Sequence, residues 1–218
     1  MSTLRPAKPD ALAATIMARV PSGIATAELR RHARSLASEL TPASGSTVVA
    51  VALQLLRKRR RALGYELVGA HRGALEALDS RNVEALGAGI DSWGAVDHFA
   101  CAIAGVAWQR RQVPDRLIAR WARSKDRWQR RAALASTVPL NVRSRGGKGD
   151  AARTLAICRR LIDDRDDMIV KALSWALREL AVREPAKVSA FVAEHEDRLA
   201  KRVIREVKRK IETGRKAG

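Results

Sequence analysis

The sequence predicts an all-α protein, a curved solenoid of stacked helical hairpins. Three observations carry that reading. Glycine and proline are sparse, 14 and 7 in 218 residues. The strong helix formers Ala, Leu and Arg are abundant. Apolar residues recur at helical spacing, with almost no β-branched alternation. In order along the chain, the helical pattern runs over 10–19, 26–39, 47–55, 57–70, 72–79, 81–90, 93–109, 114–123, 126–137, 150–162, 167–182, 185–194 and 197–213. Short breaks separate these stretches at Pro21-Ser22-Gly23, Thr41 to Gly45, Asp79-Ser80, Gln112 to Pro114 and Asn141 to Gly149, each rich in turn-forming residues.

Paired helices at roughly 35 to 45 residues per pair fall in the range of HEAT and armadillo repeats, whose stacks curve and bind along the concave face. A chain of this length, 46% apolar, is long enough to bury a proper core. It is read as one helical-repeat domain over 1–218, with 1–20 allowed partial disorder.

Charge narrows the partner. Forty-two Lys and Arg against 23 Asp and Glu leave a formal net charge of +19, the signature of a polyanionic partner or an anionic membrane surface. The longest apolar run, Thr47 to Leu56, contains Gln54 and reaches about half of the ~20 residues a membrane-spanning helix needs. The first 20 residues lack the apolar core and cleavage site of a secretory signal. A soluble intracellular, cytoplasmic protein is expected.

Several chemistries find no footing in the residues. Cys101 and Cys158 are far apart and sit in apolar helical patterns, where a free cysteine packs as a small hydrophobe. His32, His71, His98 and His195 are dispersed and make no ligand spacing, so no metal is expected. No Ser lies in a nucleophile elbow and no Gly-rich dinucleotide fingerprint occurs. Ser144-Arg145-Gly146-Gly147-Lys148-Gly149 can offer backbone N–H groups to a phosphate, but it follows no strand; a flexible, solvated loop is the plainer reading. Arg57-Lys58-Arg59-Arg60-Arg61 reads as the basic start of a helix, compatible with phosphate binding or a localisation signal.

Tryptophan stands out, supplying five of only eight aromatic residues. Trp93 and Asp97 are four apart and share a helix face, with Ser92 placed to cap it. A carboxylate beside an indole face can hold a cation between them. Trp128 and Arg131 share a face, while Arg130 points about 100° away. Lys171 to Glu179, with Trp175, follows the acidic Asp163-Asp164-Arg165-Asp166-Asp167, which suits a helix N-terminus. Singly, each Trp is also compatible with core packing, and Arg178 with Glu179 reads as a structural salt bridge.

Taken together in this order, Ser92 to Asp97, Trp121 to Leu134 and Lys171 to Glu179 resemble the motifs of the AlkD-type DNA alkylation repair glycosylases, which are built from HEAT-like repeats. The resemblance is strongest over 90–195 and rests on helix pattern alone over 25–90. Gly94 departs from the family, where a larger residue is expected, and the N-terminal part is short, so the aromatic that the family contributes there has no clear counterpart; Tyr65, the one Tyr, lies in a helix that is not the obvious place for it.

The resemblance implies a monofunctional glycosylase acting on duplex DNA with cationic alkylated purines, as a monomer and without a small-molecule cofactor. It implies that Trp93 and Trp175 bracket the lesion-bearing deoxyribose, that Asp97 is the catalytic carboxylate and that Arg131 grips the DNA. Arg130, Lys148 and Arg145 are the accompanying DNA-binding candidates. Two other readings remain open: a non-catalytic member of the same architecture that binds DNA structure, and a helical scaffold for protein or RNA.

Overall fold

The computed structural model describes residues 8–215, and the described chain is all-α, with no strand among those residues. It divides into two compact units at Gly89 and Ile90. The allowance for disorder over 1–20 falls in part on the first seven residues, outside those described; the rest of that stretch is mostly helix.

The first unit holds α1 (Pro9–Arg19), α2 (Thr26–Glu39), α3 (Gly45–Arg57), α4 (Arg61–Ala70), α5 (Arg72–Glu76) and α6 (Ser80–Gly87). Apolar α3 is its centre. It buries Val48, Val49, Val51, Ala52 and Leu55 and packs against α1, α4, α5 and α6. Ser44 caps it by accepting from the Thr47 N–H. Gly45 lies so near Gly73 that a Cβ there would stand 1.9 Å from the Gly73 carbonyl oxygen.

The basic run corrects one expectation. Arg57 closes α3 and Arg61 opens α4, so Lys58-Arg59-Arg60 is the turn between two helices, with Arg59 at φ 60°. Two of its arginines satisfy carbonyls: Arg60 donates to Val20 and Pro21, and Arg61 to Leu86, Ala88 and Gly89. Tyr65 is fully buried and donates to the Leu86 carbonyl at 2.7 Å.

The second unit begins with a nearly continuous helix, α7 (Trp93–Phe99), a π-turn (Ala100–Ala104) and α8 (Gly105–Gln109). It continues with α9 (Asp115–Trp121), α10 (Arg127–Ala135), the short α11 (Val138–Asn141), a 3₁₀ turn (Arg143–Arg145), α12 (Ala151–Arg160), α13 (Asp167–Ala181), α14 (Pro185–Glu194) and α15 (Lys201–Thr213). These helices form two rows. In one, α7 packs on α10, α10 on α13 and α13 on α15; in the other, α9 packs on α12 and α12 on α14. The rows join through α9 with α10, α12 with α13 and α13 with α14.

Helix starts in this unit follow the acidic residues. Asp126, Asp150 and Asp166 cap α10, α12 and α13 by accepting from the N–H groups of Trp128, Arg153 and Met168. Helix α11 lies in a stretch the periodicity left unassigned, because four residues containing Pro139 carry no readable period.

Candidate functional site

Trp93, Asp97, Arg130, Arg131 and Trp175 come from neighbouring helices of one row. Trp93 opens α7 and is 62% exposed, the most exposed large apolar side chain among the described residues. Ser92 occupies the N-cap position, but its side chain makes no capping hydrogen bond, unlike the expectation. One turn on, Asp97 is part-buried, and both its oxygens are held by Arg131 of α10. Arg131 Nε donates to Oδ1 at 2.8 Å and Nη2 to Oδ2 at 2.7 Å. This is the bidentate fork geometry in which an arginine binds a carboxylate most strongly.

Arg131 is itself buried, its side chain 8% exposed against 20% for Asp97. Its third nitrogen, Nη1, donates to the Met168 carbonyl at the start of α13 at 2.5 Å. Every nitrogen of this guanidinium therefore has a partner inside the protein. A free phosphate grip, the role the resemblance attached to Arg131, is not what this geometry offers; what it offers is a carboxylate fixed in place.

Arg130 is spent in a similar way. Its Nε donates to Asp164 at 2.7 Å and its Nη1 to the Ser124 and Lys125 carbonyls, tying the turn before α10 to the acidic segment before α13. Trp128 is half-buried, with the Arg127 guanidinium 5.7 Å from its ring centre.

Trp175, in the middle of α13, is half-buried, and its indole Nε1 donates to Glu179 at 3.0 Å. The expected Arg178–Glu179 salt bridge gives way to other partners. Arg178 donates to Ser174 Oγ at 3.2 Å and faces Glu206 at 3.8 Å. The Trp175–Glu179 hydrogen bond was not foreseen in the sequence, although the i, i+4 spacing of the two residues was a usable signal.

Cys101 lies a turn beyond Asp97, on the π-turn. Its thiol is pushed up to about 12, first by burial, with the charges of Arg145, Asp97, Glu179 and Arg131 all acting on it. Arg145 Nη1 donates to the Cys101 carbonyl at 2.6 Å. A π-turn disturbs the regular helical ladder, and such bulges concentrate at functional sites.

The glycine-rich loop is mostly exposed but is pinned at one residue. Gly147 is buried, and a Cβ there would stand 2.5 Å from the Pro139 carbonyl oxygen and 2.7 Å from the Asn141 nitrogen. Its N–H donates to the Val142 carbonyl, so this amide is not offered to a phosphate. Lys148 and Arg145 are exposed at its rim.

Among the described residues no group of three or more His, Cys, Asp or Glu side chains could hold a metal ion, and no helix is long and apolar enough to cross a membrane. Both cysteines are buried and free.

A family model described as DNA alkylation repair enzyme matches residues 7–211, almost the whole chain. The chain belongs to the DNA alkylation repair enzyme family. No curated protein matches it. For a DNA alkylation repair enzyme, with DNA as its partner, the excess of cations has a direct use: phosphate neutralisation that is independent of sequence. Membership also covers the first unit, where the sequence offered helix pattern alone.

Proposed function

We propose that this DNA alkylation repair enzyme is a monofunctional glycosylase that hydrolyses the N-glycosidic bond of cationic alkylated purines in duplex DNA. The observation that carries this reading is the Asp97 carboxylate, clamped on both oxygens by Arg131, one helical turn from an exposed Trp93.

Alkylation at N3 or N7 places a positive charge on the purine, so the base leaves with the electron pair of the C1′–N bond and becomes neutral without a general acid. The deoxyribose then carries the positive charge. Asp97 stabilises this oxocarbenium and orients a water toward C1′, as carboxylates do in glycoside hydrolysis. The water oxygen bonds to C1′, and its proton passes through the carboxylate to solvent. The products are the free alkylated base and an abasic sugar.

Arg131 is a positioning residue in this scheme. Its two parallel hydrogen bonds fix the orientation of the Asp97 carboxylate, and the Met168 carbonyl holds Arg131. Trp93 and Trp175 present electron-rich faces to the cationic nucleotide, each contact contributing about 0.5–2 kcal/mol according to desolvation. Lys148 and Arg145, at the loop rim, meet the backbone. The enzyme works as a monomer in the cytoplasm, on nucleoid DNA.

The test is incubation of the purified protein with methylated duplex DNA, with released purines read by chromatography. Free 3-methyladenine or 7-methylguanine, with no borohydride-trapped covalent complex, is the expected result. Tight DNA binding without base release would replace the glycosylase by a DNA-structure-binding protein.

A further inference from the structure

The second unit carries another basic feature on the row of helices away from Asp97. A groove of about 380 Å³ lies between α9 and α12, with Trp108 at one end. Trp108 donates its Nε1 to Asp115 at the start of α9 at 2.7 Å. Arg153, at the start of α12, lies 5.0 Å from the Trp108 ring centre and donates to the Trp108 carbonyl. Both helices therefore start beside Trp108 and run in the same direction. Arg123, just past the end of α9, and Arg160, at the end of α12, line the far end, and Arg116 lines the near one.

These three arginines are exposed, and among the described residues none has an acidic partner. That sets them apart from Arg131, whose three nitrogens all have partners inside the fold, and from Arg130, which pairs with Asp164. The large apolar residues of the groove, Trp108 and Ile157, are buried at 1% and 3% exposure. What the floor exposes is alanine, at positions 152 and 156. Such a floor gives little purchase to the apolar side chains of a peptide, but lets a backbone come close. Guanidinium groups with open donors match phosphate by two-point hydrogen bonding. Arg116 and Arg123, seven residues apart, span about 10 Å along the helix direction, the axial rise of roughly three phosphates on one strand.

We infer that the α9–α12 groove is a second duplex-binding surface, which engages the backbone of a DNA segment other than the one carrying the lesion. The inference rests on the proposed function only for duplex DNA as the partner, not for glycosylase chemistry. Two DNA surfaces on one chain allow transfer between segments without full release, which suits a search for rare lesions.

The experiment uses the full chain with two 20-base-pair duplexes, one labelled with a donor and one with an acceptor fluorophore. Wild-type protein brings the two together and raises energy transfer. The triple variant Arg116→Gln/Arg123→Gln/Arg160→Gln weakens binding of the second duplex by ~10-fold or more and lowers its log–log salt slope by ~0.9 per arginine removed, while first-duplex binding and base release persist. No energy transfer with wild type, or equal transfer with the variant, overturns the inference. So does a poly-glutamate peptide that occupies the groove in place of DNA, since it assigns the surface to an acidic protein. Failure of base release, read separately on methylated DNA, bears on the glycosylase proposal and not on this one.

Discussion

Arg131 holds both oxygens of Asp97, at 2.8 and 2.7 Å, and is anchored in turn by the Met168 carbonyl. The pair spans α7 and α10 and reaches α13, so three helices of one row are joined through a single guanidinium. An ion pair this enclosed costs desolvation, which its two aligned hydrogen bonds help to offset.

Substituting Arg131→Gln removes the clamp and leaves Asp97 part-buried without its partner. Excision falls by ~10²-fold or more, the scale seen when one aligned donor is lost from a charge-stabilising site. Stability falls by about 2–3 kcal/mol, below the range for a fully buried broken pair because Asp97 keeps some solvent contact. Single-turnover kinetics and urea denaturation read the two effects.

Trp175 and Glu179 form a unit through the indole N–H. Glu179→Gln retains an oxygen acceptor and keeps near-normal excision, whereas Glu179→Ala frees the indole and lowers it. In a Trp175→Phe background the Glu179→Ala loss disappears. A double-mutant cycle measures this coupling directly; additive losses would separate the two residues.

Both thiols are chemically quiet. Burial raises Cys101 to about 12 and Cys158 further still, so the reactive thiolate is scarce at pH 8. Native protein resists iodoacetamide at that pH, and denatured protein takes up two labels. Fast labelling of native Cys101 would show that the π-turn opens.

Glu206 fastens α15 to α13 and sets an acid limit. Burial pushes its carboxyl up, but the hydrogen bonds from Ser174 and Arg202 outweigh this and hold it below its ordinary value of 4.5. A depressed folded-state pKa adds stability that is full above the unfolded value and is lost as pH falls through the folded one. Melting temperature therefore drops on acidification below about pH 4.5, and Glu206→Gln flattens its own part of that drop.

Much of the architecture was legible because helix periodicity and turn residues agree along the chain. The breaks at Pro21–Gly23 and Gln112–Pro114 and the acidic start of α13 fall where read. Arg57 to Arg61 was misread because a run of arginines has the composition of a helix, while the left-handed turn at Arg59 is set by tertiary contacts of Arg60 and Arg61 with carbonyls distant in sequence. The same reason governs the site. Spacing placed Trp93 with Asp97 and put Arg131 and Arg130 on different faces, but which side chain an arginine meets across helices has no signature in sequence, so that Arg131 meets Asp97 and Arg130 meets Asp164 appears only in the structure. Gly147 looked like a flexible loop residue, and its tight approach to Pro139 appears only in three dimensions.

The most direct measurement compares wild-type protein with Asp97→Asn for release of methylated purine from methylated duplex at low salt, with DNA binding followed in parallel. The account predicts release by wild type, loss of release by ~10²-fold or more in the variant, and retained DNA binding by both. Equal release by Asp97→Asn would contradict it and remove the clamped carboxylate from the chemistry.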